Sequence, residues 1–189
     1  MAHSRLNELI EKATKLFAEK GFAASSMRDL AHEMGIEAAS LYSHIHSKEE
    51  MLEIICFKKA DQFLAALDEV NDIYFNAEEK LRMAIKLHVS IICKNPNASK
   101  VFIDEWRHLE EPHKLKFIEK RNLYELGILE ILKTGEQENL FKEVDLKFAT
   151  LTILSTVNWI NQWYNPQGKM KPEEIANELS NFILTGLKK

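Results

Sequence analysis

The sequence predicts an all-α protein. Three observations carry this. The 189 residues include only 6 Gly and 4 Pro, so the chain has few obligatory breaks. Apolar residues recur at spacings of three and four over long stretches, and strand-like alternation is scarce. The pattern divides into about nine helices.

The first helix is expected over about 5–20. Leu6, Ile10, Ala13, Leu16 and Phe17 fall on one stripe, and Gly21 suits a left-handed C-terminal cap. Ser26 with Asp29 reads as a capping box that opens a short helix over about 27–33, buries Leu30 and Ala31, and ends at Gly35. A third helix is expected over about 37–44. Ser47 with Glu50 caps a long helix over about 48–70, and Asn76 with Glu79 caps another to about Cys93. Asn95-Pro96-Asn97 breaks that helix, and the next covers about 99–108. Pro112 fits the first position of a helix running to Lys133 and stopping at Gly135. Asp145 caps a helix to about Tyr164, and Pro172 opens the last, to about Leu187.

Composition narrows the function classes. Apolar residues make up 46% and charged residues 29%, which is globular rather than disordered. No run of about 18 apolar residues could span a membrane, and no leader-like apolar stretch opens the chain. Two distant cysteines, Cys56 and Cys93, are no disulfide framework, so a reducing cytoplasm is expected. The net charge is −4 and the pI about 6.0. Any contact with nucleic acid must therefore come from a local surface.

Such a surface is suggested by two short helices joined at Met34-Gly35-Ile36, which is the helix-turn-helix spacing. The second helix of such a pair enters the major groove and needs a small or polar outer face. Glu37-Ala38-Ala39-Ser40 supplies that face, while Leu41 points to the core and Tyr42, Ser43 and His44 follow one turn on. Lys48 opens the next helix, where a cation and free amides can meet a phosphate. Plain three-helix packing is the alternative. Charge does not decide between them, because residues 1–48 hold six cations and six anions.

The segment resembles the TetR-type transcriptional regulators. The residues that carry the resemblance are Ala13, Leu16-Phe17, Gly21-Phe22, Ser25 to Ala31, Met34-Gly35-Ile36, Ala39 to His44, Ser47-Lys48-Glu49 and Met51-Leu52, covering about residues 6–55. Ile45 stands where an aromatic is more usual and Leu30 where Ile is common; both keep the packing apolar. The resemblance implies that Ser26, Met27 and Arg28 meet the DNA backbone and sometimes a base. It implies base-edge contacts for Ala38, Ala39 and Ser43, and phosphate contacts for Ser40, Tyr42, His44 and Lys48. Ala38 and Ala39 can touch only thymine methyls, so Arg28 and DNA shape are expected to carry much of the specificity.

Two domains are expected: residues 1–47 for DNA binding and 48–189 for effector sensing and dimerisation, with helix 48–70 connecting them. The helix after Asp145 is apolar on nearly every side, and the last helix carries Ile175, Leu179, Phe182, Ile183 and Leu187. Such helices can form half of a two-fold four-helix interface, and TetR-type proteins are similar in dimerising through their last two helices. Packing within one chain is the alternative.

Aromatic residues with polar neighbours mark a candidate effector pocket: Phe102, Trp106 and Arg107, then Arg121 and Tyr124, then Asn158, Trp159 and Gln162. The alternative is ordinary core. Residues 100–187 look like the branch of the family that responds to acyl-CoA thioesters. That resemblance implies that an Arg, Arg107 or Arg121, meets the CoA phosphates.

No Gly-rich phosphate loop, Gly-x-Ser-x-Gly elbow or Cys-x-x-Cys occurs, so neither enzyme activity nor a cofactor is expected. Glu105, His108, Glu110, Glu111 and His113 read as a solvated corner rather than a metal site, and Cys56 and Cys93 as core. The expected function is that of a homodimeric repressor released from a palindromic DNA operator by a small apolar effector, an acyl-CoA thioester being the first guess. A helical-bundle carrier or metal-dependent enzyme is the alternative.

Overall fold

The computed structural model describes residues 2–189, apart from the side chains of residues 2–4 and 38. The described residues form nine α-helices and no strand. These are α1 (Ala2–Lys20), α2 (Met27–Met34), α3 (Ala38–Leu41), α4 (Lys48–Asp72), α5 (Ala77–Lys94), α6 (Pro96–Lys100), α7 (His113–Gln137), α8 (Leu146–Trp163) and α9 (Pro172–Leu187). A π-turn (Val101–Glu105) and a 3-10 turn (Trp106–His108) continue α6.

The expected caps are present. Ser26 and Asp29 close a capping box, with Asp29 N–H donating to Ser26 Oγ at 3.2 Å and Ser26 N–H to Asp29 Oδ2 at 2.9 Å. Asn76 and Glu79 form the second box. Ser47 accepts from Glu50 N–H at 3.1 Å, while the Glu50 carboxylate reaches His46 N–H rather than Ser47. Asp145 accepts from Phe148 N–H. Gly21 (φ 84°) and Gly35 (φ 62°) take the left-handed conformation that a side chain would strain.

Three expectations need correction. The third helix is only Ala38–Leu41, not 37–44. The Ser43 hydroxyl donates to Ser40 C=O at 2.7 Å, and His44 N–H bonds three residues back to Leu41, so the backbone tightens into turns. The seventh begins at His113, and Pro112 stands just before it, its carbonyl accepting from Lys116 N–H at 3.3 Å. It also continues past Gly135. That glycine lies against the Phe141 ring, where a Cβ would collide, and the left-handed end is Asn139 (φ 58°). Finally, the helix expected over 99–108 is divided among α6, the π-turn and the 3-10 turn.

The chain forms two compact units, one of residues up to Ala60 with Asn97–Ile118, the other of Asp61–Pro96 with Glu119–Lys189. By packing, the breaks fall inside α4, at the start of α6 and inside α7. In the first unit Leu9, Ala13, Phe17, Leu30, Leu41, Ile45, Met51 and Leu52 form a buried core that Val101 and Phe117 join. In the second, α5 packs on α8 and α9. Its core includes Leu81, Ile85, Val89, Ile92, Ile153, Val157, Ile160, Ile175 and Leu184.

Candidate nucleic-acid interface and sensor site

Burying Leu30, Ala31, Leu41 and Ile45 fixes which residues of the two short helices face outward. Arg28, Ala39, Ser40, Tyr42, Ser43 and His44 are all exposed. Met27 is half-buried and packs partly on the core. The Ala38 side chain lies outside the described residues. Two hydroxyls are committed locally, that of Ser26 to Asp29 and that of Ser43 to the Ser40 carbonyl. Each can still accept a hydrogen bond.

Lys48 is more deeply engaged than its spacing suggested. Its Nζ donates to Phe22 C=O at 3.0 Å and Ser25 C=O at 3.1 Å, and sits 4.3 Å from the Phe22 ring centroid. The ammonium thus ties the start of α4 to the loop before α2 and keeps one proton for another acceptor. Asp29 is held below the usual carboxylate range, first by the Ser26 hydroxyl and then by Lys20, whose Nζ is 3.2 Å away.

The eight expected sensor residues separate into two sets. Phe102, Trp106 and Arg107 belong to the first unit. Phe102 and Trp106 pack on Phe117, with centroids at 5.4 and 5.8 Å, and the exposed Arg107 guanidinium lies 4.9 Å from the Trp106 ring. The other five belong to the second unit. There Tyr124 of α7 and Asn158 of α8 meet on one side chain of α5, His88. Its Nδ1 is 3.0 Å from Tyr124 Oη, and its Nε2 is 3.2 Å from Asn158 Oδ1. An amide oxygen only accepts, so Nε2 donates to Asn158, and Nδ1 shares the other hydrogen bond with the Tyr124 hydroxyl. The Phe63 ring lies 4.5 Å from His88 and 5.4 Å from Tyr124. Burial pushes the Tyr124 hydroxyl further above its usual range.

Sequence reasoning missed His88. The available signal was a lone imidazole on the apolar stripe Ile85, Val89, Ile92. Arg121, Trp159 and Gln162 are exposed and lie outside this group. Trp159 and Gln162 follow Asn158 by one and four residues, which turns Trp159 about 100° away. Trp159 instead shares an outward apolar face with Phe148, Leu151 and Trp163.

The acidic corner has its own geometry. Ser47, Glu49, Glu50, Glu53, Leu109, Glu110, Glu111 and His113 line a cavity of about 210 Å³, in which His113 Nδ1 pairs with Glu53. Glu105 and His108 pair with each other at 3.5 Å. Among the described residues no group of three or more His, Cys, Asp or Glu is placed to hold a metal ion. Burial pushes the Cys56 thiol up to about 12, with Glu105 adding to the shift, and Cys93 up to about 11. Both are protonated at neutral pH and poor nucleophiles. No described helix is long and apolar enough to cross a membrane.

Comparison with known proteins agrees with this geometry. Residues 9–55 match the family described as bacterial regulatory proteins, tetR family, and residues 75–187 match the tetracyclin repressor-like C-terminal domain. The chain is 28% identical over 192 residues to the HTH-type transcriptional repressor KstR2 of Mycobacterium tuberculosis, covering 99% of this chain and 94% of that one. The solved KstR2 structure from that organism superposes with a TM-score of 0.94 at 26% identity, over 98% of this chain and 95% of that one. The fatty acid metabolism regulator protein of Bacillus subtilis is 26% identical over 185 residues, 95% of this chain and 94% of that one. AibR, solved in complex with isovaleryl coenzyme A and operator DNA, superposes with a TM-score of 0.84 at 25% identity, over 94% of this chain and 97% of that one. With matched models over both the reading helices and the C-terminal helices, this chain belongs to the TetR family of transcriptional regulators.

Proposed function

We propose that this protein is a cytoplasmic homodimeric repressor that binds a palindromic operator and is released by an acyl-CoA thioester. The observation that carries the DNA reading is the outward face of the helix-turn-helix. Arg28, Ala39, Ser40, Tyr42, Ser43 and His44 stand exposed beside the partly exposed Lys48, over a core that fixes their orientation. Small side chains let α3 approach base edges closely. Arg28 supplies the strongest base or phosphate donor, while Tyr42, Ser40, His44 and Lys48 serve phosphates.

The dimer reading is supported by apolar side chains left in water. Phe148 (70% exposed) and Trp159 (65%) on α8 and Phe182 (79%) on α9 are too large and too exposed to serve the fold of one chain. A two-fold pairing through α8 and α9 would cover them and present two reading helices to half-sites about 34–36 Å apart.

The effector reading is supported by the His88–Tyr124–Asn158 group, a hydrogen-bonded polar cluster inside an apolar helical packing. It is also supported by the AibR complex with isovaleryl coenzyme A. Arg107 and Arg121 remain the candidates for the CoA phosphates. The effector shifts the population toward a dimer geometry that no longer fits both half-sites. Selecting sites from random duplexes, footprinting the product and titrating acyl-CoA thioesters tests the whole reading. A two-fold footprint lost on adding thioester is expected. An asymmetric footprint, or one that no thioester releases, refutes the corresponding part.

A further inference from the structure

The carboxylates of the acidic corner stand around one imidazole. Glu49, Glu50 and Glu53 come from the first turns of α4, Glu110 and Glu111 from the chain just before α7, and His113 is the first residue of α7. Of the side chains that line this cavity, only His113 can carry positive charge. Its Nδ1 pairs with Glu53, and the ring is half-exposed, so protons reach it. Two cations follow it on α7. Lys114 Nζ donates to the Arg107 carbonyl at 2.9 Å, and Lys116 is exposed one turn on. All these residues belong to the first compact unit.

The pair is one rung of a seam with two rungs. Phe57 follows Glu53 by four residues and Phe117 follows His113 by four, so each helix presents both its residues on one face. The Phe57 and Phe117 ring centroids are 6.0 Å apart, and Phe57 also meets the His113 ring edge-on at 6.4 Å. The start of α4 is tied in turn to both ends of the reading pair. Lys48 bonds the Phe22 and Ser25 carbonyls before α2, and Glu50 accepts from His46 N–H after α3 at 2.8 Å. A neutral imidazole offers Glu53 an ordinary hydrogen bond. A charged one offers a bond of roughly twice the strength and answers the other carboxylates around it. We infer that His113 is a positioning residue for operator binding, whose protonation fastens α4 to α7 and sets the reading helices before they meet DNA. Ordering them beforehand lowers the cost of binding. The added positive charge also favours a partner made of phosphates. Operator affinity therefore rises as pH falls from about 8 to about 6, the range in which imidazoles take up protons. This rests on operator binding and not on the identity of the effector.

The test uses the full chain and a duplex selected from random sequence. Affinity is measured by fluorescence anisotropy at about pH 6 and about pH 8, at one ionic strength. His32, His44, His46 and His108 titrate over the same span, but their share is common to the wild type and the variants. The ratio of the two affinities should be smaller in His113→Gln than in the wild type, by about two- to fivefold for each subunit bound, the effect of one half-exposed ion pair. Glu53→Gln should lose the same share, because the partner charge is gone. His113→Lys keeps its charge over this range, so it should flatten the ratio too, yet bind at about pH 8 more tightly than His113→Gln. A merely structural role would weaken the His113 variants at both pH values and leave the ratio as it was. The wild type alone supplies a further measurement. Calorimetry in buffers of different ionisation enthalpy should show protons taken up on binding the operator near neutral pH. The inference is overturned if no proton is taken up, if His113→Gln or Glu53→Gln keeps the wild-type ratio, or if His113→Lys binds no better than His113→Gln at the higher pH. A chain that selects no duplex overturns the operator reading and this inference with it. A selected duplex bound with unaltered ratios overturns this inference alone.

Discussion

Lys48 holds the loop before the reading helices by the residue 26 positions back, Phe22. Its ammonium donates to the Phe22 carbonyl at 3.0 Å while sitting 4.3 Å from the centroid of the Phe22 ring. Lys48→Ala should therefore destabilise the chain by about 1–3 kcal/mol, through the lost carbonyl bonds and cation–π contact. If the third ammonium proton also serves a phosphate, the log–log salt dependence of operator binding becomes shallower by about 0.9. Thermal melting checks the first statement and a salt series the second. An unchanged Tm would show that the lysine anchors nothing.

Arg28 and Tyr42 should fail in different ways. Arg28→Ala is expected to cost about 1–3 kcal/mol on the selected operator and to relax sequence preference. Tyr42→Phe removes one hydroxyl donor and should weaken every duplex alike by about 1 kcal/mol. Fluorescence anisotropy on the operator and on a scrambled duplex separates the two. Equal losses on both duplexes for Arg28→Ala would move specificity elsewhere.

Asp29 sets a pH signature on stability. Its carboxyl titrates below the ordinary 3.8 in the folded chain, so its contribution is present above that value and is lost as pH falls through the lowered folded pKa. Asp29→Asn should melt below the wild type at neutral pH. The gap should close in strong acid, where the wild-type carboxyl is itself protonated. A gap that stays constant from neutral to strongly acid pH would contradict this.

Phe182→Glu tests the dimer. The side chain is 79% exposed in a single chain, so the substitution leaves the monomer core intact. In a two-fold contact it buries a charge without a partner. Light scattering should show monomers of native helicity. A dimer of undiminished affinity would place the interface away from α9.

Much of this architecture was legible because the signals were local. Capping residues such as Ser26, Asn76 and Asp145 act within three residues, and helical stripes repeat within a turn or two. Gly135 misled because a glycine can mark either a helix end or a close approach, and only the packing of Phe141, folded back against it, decides which. The brevity of α3 depended on where the Ser43 hydroxyl donates, which spacing does not encode. The polar group of the sensor half was half visible. Tyr124 and Asn158 stood out by type, but the residue joining them, His88, sits among apolar residues on the inward stripe of its helix. The neighbouring Trp159 was grouped with Asn158 by sequence adjacency, though a helix turns consecutive residues to different sides.

Three of the six cations over residues 1–48 are engaged within the chain. Lys20 is paired with Asp29 and Lys15 faces Glu19, while two of the three Lys48 ammonium protons go to backbone carbonyls. With six positive and six negative side chains over residues 1–48, such a surface casts little field beyond its own contour. Its encounters with DNA then belong to the unsteered regime of about 10⁵–10⁶ M⁻¹ s⁻¹, and its residence on random sequence is brief. The genome as a whole acts as a weak reservoir for this protein. Occupancy of a promoter is governed by the fit at that site and by copy number, with little of the chain held in storage along the chromosome.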